Sequence, residues 1–272
     1  MSNRAVLVQS NFHTHTYRCM HASGTDEQMV QAAIKEGFRV LGFSDHSPWK
    51  YGSDFVARMR MTTGQFAEYA TSVRTLQEKY KDKVEILLGL EAEYFPDYMD
   101  WFVDFLIKEK VDYVILGQHY HGSDEYGVYF GRADRSLFET YIDDCIRGLE
   151  TGIYSYLAHP DLPLRGMDWD EGMRPGFERL CKYCADHDIP LEYNVLGMQV
   201  GKKMGHEGYP SDRFWKIAEK YHCRAIIGMD AHRTRDLDRR LYDRARKRLE
   251  RYDVQIVDSI RRVDFRALKE ER

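Results

Sequence analysis

Histidine, aspartate and glutamate recur along this chain in short groups whose spacing suits the gripping of cations. The first is His13-Thr14-His15, with His21 a few residues further on. Residues two apart on an extended strand face the same way, so His13 and His15 can hold one ion side by side. His21, beyond a short loop, can reach a second. Further groups are Ser44-Asp45-His46, Gly89-Leu90-Glu91-Ala92-Glu93, Gly117-Gln118-His119-Tyr120-His121, Ala158-His159-Pro160-Asp161 and Gly228-Met229-Asp230-Ala231-His232. Imidazole and carboxylate together suit zinc, manganese or iron, whereas a thiolate site would need cysteines at these places. Seven histidines with one Glu and one Asp exceed what a single tetrahedral ion requires, and carboxylates bridge ions well. The groups therefore read as a centre for two or three divalent transition-metal ions.

A lone histidine at a strand end is ordinarily a hydrogen-bonded surface residue. Six separate run ends that all deliver His, Glu or Asp call for a fold that brings them together. Strand-like runs lie at 5–13, 40–46, 85–94, 112–119, 155–159, 189–194 and 224–232. Helical stretches lie between them at 26–37, 64–80, 98–110, 136–152, 174–188 and 211–222, with Gly37 as a stop and Ser211 as a cap. An Arg-rich helix at 235–251 and a short run at 254–257 follow. Strands alternating with helices indicate a parallel sheet with crossover helices. An open doubly wound sheet of this size would be wide; a closed barrel of seven or eight units collects the ligand-bearing ends at one mouth.

The bulk properties agree with one such unit. The 272 residues are 43% hydrophobic, enough for one sizeable core, and we expect residues 1–272 to form a single domain. Forty Lys and Arg against 44 Asp and Glu give a net charge of -4, which speaks against a protein that coats nucleic acid. No apolar run approaches the roughly 18–20 residues that span a bilayer. Five irregularly placed cysteines do not form a disulfide framework. With no signal-peptide pattern at the N-terminus, a cytoplasmic protein is expected.

The motif set, taken together, resembles the PHP (polymerase and histidinol phosphatase) family, in its histidinol-phosphate phosphatase-like branch. His13-Thr-His15-Thr-Tyr-Arg-Cys19-Met-His21 looks like the first motif of that family and Ser44-Asp45-His46 like the second. Gly-Leu-Glu91, Gly-Gln-His119, Ala-His159-Pro and Met-Asp230-Ala-His232 look like the later ones, in order. The resemblance covers roughly residues 10–235 and implies a distorted (β/α)7 barrel with a trinuclear site. By it, His13, His15, Glu91 and Asp230 would hold the first ion. Glu91 would bridge to a second, held also by His119 and His159, and His21, His46 and His232 would hold the third. A water shared between two such ions loses a proton near neutral pH and can attack phosphorus, while the ions neutralise the charge that accumulates on the phosphate. The expected activity is thus phosphomonoester hydrolysis on a small phosphorylated metabolite, with L-histidinol phosphate of histidine biosynthesis as the first candidate. Glu91, Asp230 and His232 are the residues expected to be indispensable.

Other residues read less sharply. Arg18 and Arg165 are candidate phosphate clamps, since guanidinium is the favoured bidentate partner of phosphate. Asn194 and His121 are candidate substrate contacts. Asp45 and Asp161 could orient ligands or move a proton, and Glu93 could take a substrate ammonium or a salt bridge. Relatives of this branch show an Arg shortly after an Asn-x-x-Gly motif. Here Asn194-Val-Leu-Gly197 is followed by Gln199, so histidinol phosphate could be a poor substrate. His187, His206 and His222 read as surface residues, Cys19 and the Cys181/Cys184 pair as packing, and 233–251 as a solvated helix face. Three other functions compete: a nuclease or nucleotide phosphatase, which would need a basic groove with aromatic platforms; a non-enzymatic metal-binding module; and a hydrolase of C–N or C–O bonds from another metal-barrel family.

Overall fold

Short parallel strands alternate with helices that fill the connections. The computed structural model describes residues 9–204 and 208–271. The strands are β1 Ser10–Asn11, β2 Val40–His46, β3 Glu85–Ala92, β4 Tyr113–Leu116, β5 Leu191–Asn194, β6 Arg224–Gly228 and β7 Gln255–Val257. The helices are α1 Asp26–Lys35, α2 Phe66–Tyr80, α3 Met99–Glu109, α4 Phe138–Glu150, α5 Arg174–Asp186, α6 Val195–Met204, α7 Asp212–Lys220, α8 Arg239–Leu249 and α9 Phe265–Glu270.

β1 to β4 form one parallel sheet in chain order, and β5 to β7 another. Single-residue bridges join them: Leu116 to Leu157 and Leu157 to Leu191 on one side, Thr14 to Ala231 on the other. The result is a curled, partly closed parallel sheet. The expected strand at 155–159 shrinks to the bridge at Leu157. Its run ends where His159 turns into the left-handed region at φ 29° and Pro160 offers no N–H. The expected first strand likewise reduces to Ser10–Asn11 within the described part.

Local signals account for several boundaries. Thr25 and Gln28 form a reciprocal capping box at the start of α1, and Gly37, at φ 84°, takes the chain out of it. Ser211 caps α7 through the N–H of Arg213. The Arg-rich helix begins at Arg239, not 235, because Asp238 accepts from the N–H groups of Arg240 and Leu241 and sets the N-cap there. The segment after Asn194, given no element from sequence, is α6.

Inside the curled sheet, Tyr113 lies fully buried beneath the site, its hydroxyl donating to the carbonyls of Phe12 (2.8 Å) and Phe43 (3.1 Å). A small apolar layer of Phe12, Leu87, Ile115, Tyr156 and Ile226 surrounds it. The larger core lies between sheet and helices, from Phe43 and Leu88 out to Phe102, Tyr141 and Trp215. The ligand-bearing strand ends thus stand on a rigid, dry floor.

Candidate metal centre

Glu91, at the end of β3, is the hub. Its carboxylate lies 2.8 Å from His159 Nε2, 3.0 Å from His46 Nδ1, 3.4 Å from His13 Nε2, and 3.5 Å from both His15 Nε2 and His119 Nε2. Asp230 Oδ1 stands 3.2 Å from His15 Nε2 and 3.5 Å from His13 Nε2. Donor atoms within 4.8 Å of one another form overlapping sets: His13, His15 and Asp230; His13, Glu91 and His159; His15, His46 and Glu91; His21, His46 and His232. All nine sequence candidates for ligation come together here. His119 joins through its approach to Glu91 and through ring contacts with His46 and His159, at 5.1 and 4.9 Å.

Small residues and unusual backbone make the room. A side chain at Gly117 would place its Cβ 2.1 Å from Glu91 Oε1, and one at Gly228 would meet Glu192 Oε1 at 1.7 Å. Both positions must be glycine for the carboxylates to lie where they do. His159 (φ 29°) and Asp230 (φ 49°) adopt left-handed backbone, which costs non-glycine residues about 1–3 kcal/mol each. That strain is set into two strand ends of the centre.

Several of the remaining ring nitrogens are held by specific acceptors, whereas His159 Nδ1 is buried without one. His13 Nδ1 pairs with Glu192 at 2.7 Å, and the same carboxylate accepts the backbone N–H of His159 at 3.0 Å. Glu93 pairs with His119 Nδ1 at 3.1 Å. His21 and His232 use backbone carbonyls, of Cys19 at 2.7 Å and Asp230 at 3.0 Å. Asp45 faces His15 Nδ1 at 3.5 Å and accepts from the N–H and hydroxyl of Thr16. Carboxylate and carbonyl acceptors of this kind fix the tautomer of a ligating imidazole.

The electrostatics divide the histidines. Burial depresses His46 to about 3, and burial together with neighbouring His15 takes His232 to about 4, so both are neutral at pH 7. Burial acts the same way on His15, but hydrogen bonds to Asp230 and Asp45 outweigh it and raise it to about 9. Burial alone would raise Glu91 and Asp230; the surrounding imidazoles outweigh it and hold both well below the usual carboxylate range. Cys19, fully buried, is pushed up to about 12 by burial and remains a thiol.

Buried donor atoms test the fit to metal ions. His13 Nε2, His46 Nδ1 and Glu91 Oε2 have negligible exposure and no hydrogen-bond partner, although both histidine nitrogens face the Glu91 carboxylate. A buried polar atom left unsatisfied costs about 1–3 kcal/mol. Cations that accept these lone pairs remove the cost, and the mixed imidazole–carboxylate set matches divalent transition metals. These clusters can coordinate several divalent ions.

Beside the cluster opens a cavity of about 580 Å³, lined by His21, His46, His119, His159, Asp230 and His232 together with Met59, Tyr129, Arg132, Leu162, Arg165, Tyr209 and Arg233. Arg165 is aimed by a 2.8 Å hydrogen bond to the Tyr129 hydroxyl. Arg132 and Arg233 were not singled out from sequence; Arg233 precedes the helix of the Arg-rich stretch and turns to the cavity. The other expected contacts lie elsewhere. Arg18 is buried against Asp26 (3.0 Å) and Glu68 (2.7 Å) and does not line the cavity. His121 has a side chain 55% exposed and bonds Asp144 at 2.7 Å. Asn194 donates to Glu192 (2.9 Å) and Asp230 (3.2 Å), so it braces the centre from below.

Glu93 forms a salt bridge with Arg60, and Asp161 accepts from the N–H of Ser211. Gln199 is half-buried on α6. His187 and His222 are exposed, Cys181 and Cys184 are buried on α5, and His206 lies outside the described residues. Two buried residues escaped the sequence reading. Glu192 alternates with Asn194 on an otherwise apolar strand, a signal that could have found it. Arg60 sits in an irregular segment with no such signal.

A buried multi-histidine, two-carboxylate centre on the strand ends of a curled parallel sheet, opening into an arginine-lined cavity, defines a metal-dependent hydrolase. The model of the PHP domain family matches residues 11–195. A Schizosaccharomyces pombe protein named "Probable histidinol-phosphatase" is 30% identical over 249 residues, covering 83% of this chain and 80% of its own. The Bacillus subtilis "Histidinol-phosphatase" is 27% identical over 255 residues, covering 83% and 94%. In fold, the chain is similar to the Lactococcus lactis histidinol phosphate phosphatase solved with zinc, L-histidinol and phosphate (TM-score 0.70, 17% identity, 94% of this chain and 100% of that one). The chain belongs to the PHP domain family, in its histidinol-phosphatase-like branch. Among the described residues no helix is long and apolar enough to cross a membrane.

Proposed function

We propose that this protein hydrolyses phosphomonoesters of a small metabolite, with divalent transition-metal ions, and that L-histidinol phosphate is the first substrate to test. The observation that carries the reading is Glu91, a buried carboxylate faced by five imidazoles, with His13 Nε2, His46 Nδ1 and its own Oε2 left without hydrogen-bond partners, at the wall of an arginine-bearing cavity. When bound, the ions supply Lewis acidity to phosphate oxygens and lower the pKa of a water. His13, His15, Glu91 and Asp230 would hold one ion, Glu91 with His119 and His159 a second, and His21, His46 and His232 a third. Arg165, oriented by Tyr129, would take phosphate oxygens in a bidentate pair, with Arg132 and Arg233 adding positive charge at the rim. Tyr129 and Tyr209 supply apolar surface that narrows the cavity around the ester.

The relatives' names support histidinol phosphate; Gln199, at the place of the expected Arg, does not. The bridges at Leu157 and between Thr14 and Ala231 support reading the curled sheet as a distorted (β/α)7 barrel, with residues 1–272 as one domain. Five free, buried cysteines support a reducing, cytoplasmic location.

The test is kcat/KM of metal-loaded protein for histidinol phosphate and for an aryl phosphate, in wild type and Arg165→Ala. Hydrolysis of at least one ester, reduced in Arg165→Ala, is expected. Absence of hydrolysis with the ions bound would reject the reading.

A further inference from the structure

Residues 47–65 run without regular structure between β2 and α2, and 117–129 do so after β4. One side chain ties both segments to the end of β3. Arg60 is 1% exposed, among the most deeply buried large residues of the chain. Its Nη1 and Nη2 donate to Glu93 Oε2 (2.9 Å) and Oε1 (2.8 Å), a bidentate pair. Its Nε donates to Asp124 Oδ2 at 2.8 Å, and Nη1 also to the carbonyl of Ser47 at 3.1 Å. Trp49 Nε1 adds a 3.3 Å bond to Glu93, and the Tyr51 hydroxyl donates to Asp124 at 2.6 Å.

A buried ion pair of this kind is often no more stabilising than apolar packing of the same volume, so stability alone is a weak reason for it. The far side of Glu93 gives a better one. Glu93 Oε1 also faces His119 Nδ1, and His119 Nε2 points at Glu91. An ionised Glu93 that accepts the Nδ1–H leaves the Nε2 lone pair directed into the centre. Glu93 stands just past the end of β3, two residues after Glu91, so an untethered Glu93 could turn toward the cluster itself. Clamping by both guanidinium nitrogens forbids that. Next in sequence, Met59 forms part of the cavity wall, placed there by the same anchor.

We propose that Arg60 is a positioning residue of the centre: it holds Glu93 as the orienting acceptor of His119 and seats Met59 against the substrate. This rests on reading the cluster as an ion site, and not on which ester is cleaved.

The test uses the full-length chain with zinc, as wild type, Arg60→Met, Arg60→Lys and Glu93→Gln. Chelator competition reads ion affinity, and ring-nitrogen NMR reads the tautomer of His119. Arg60→Met is expected to weaken one ion by about 10–100-fold while the others hold, and to turn His119 from one tautomer into a mixture. With an ester that is cleaved, KM should rise as well as kcat fall, because Met59 loses its seat. Arg60→Lys keeps the charge but not the fork, and should recover only part of the affinity. Should Arg60→Met fail to fold, Glu93→Gln, which keeps the volume, must reproduce the affinity loss. Unchanged ion affinity with an unchanged His119 tautomer in a folded variant would overturn the proposal. Failure of wild type to cleave any ester would reject the phosphatase reading and leave both binding readouts standing.

Discussion

His13, His119 and His159 differ from His21 and His232 in what holds them. The first three are buried at strand ends, and buried carboxylates fix them: Glu192 for His13 and for the backbone of His159, Glu93 for His119. The outer two stand in the loops after β1 and β6, are more open to solvent, and lean on backbone carbonyls. A carboxylate raises the basicity of an imidazole more than a carbonyl does, and burial removes competing water. We propose that the inner side is a preorganised ion cradle and the outer side a site from which an ion can exchange.

The largest effect should come from the hub that serves both sides. Glu91→Gln is expected to abolish turnover and to lower the ion content by more than one per chain, with the fold retained; Asp230→Asn should also abolish turnover. Elemental analysis beside kcat, with circular dichroism as the fold control, measures this, and His187→Ala should match wild type. Near-normal activity in Glu91→Gln would remove the centre from the position assigned to it.

Next comes the inner cradle. Glu192→Gln weakens the charge behind His13 and should cost about 10–100-fold in ion affinity, read by chelator competition. On the outer side, His21→Ala should remove about one ion per chain and leave the inner ions bound. If His21→Ala instead emptied the inner cradle, the two sides would be one cooperative site and the comparison would fail.

Proton release sharpens the same contrast. At pH 7 in the metal-free protein, His46 and His232 are neutral, with values of about 3 and 4, and have no proton to give up. His15, raised to about 9, is protonated and must lose its proton to ligate. Ion uptake at pH 7 should therefore release protons into a weakly buffered indicator solution. Apparent affinity should rise with pH up to about 9, where His15 is already half neutral. His13, which burial would lower but Glu192, Asp230 and Glu91 raise well above its ordinary value, adds to the release. Affinity independent of pH between these limits would show that neither histidine gives up a proton to an ion.

The smallest effect belongs to a histidine outside both sides. His121 bonds Asp144 with its side chain mostly in solvent, so His121→Ala should lose no more than about 1 kcal/mol of stability. Its kcat/KM should stay within about twofold of wild type, a factor worth less than half a kcal/mol.

The chemistry of the centre was legible in the sequence because it depends on residue type and on the two-residue period of a strand. His13-x-His15, Glu91, His119, His159 and Asp230-x-His232 sit at the ends of apolar runs, and any parallel arrangement of those runs delivers them to one face. Gly117 and Gly228, each two positions before His119 and Asp230, were visible too, though not their reason, which is the carboxylate of another strand. Partnership was not legible. Arg18 has the same chemistry as Arg165, yet Asp26 and Glu68 consume its charge while Arg165 keeps a neutral tyrosine and faces the cavity. Glu192 meets His13 across 179 positions of chain, and Arg60 meets Glu93 across 33. Such pairs form only when folding brings distant segments into a dry interior, where each buried charge must find its complement. Which side chains gather at the centre was thus written in the chain, and their orientation, protonation and rigidity were decided by the tertiary structure.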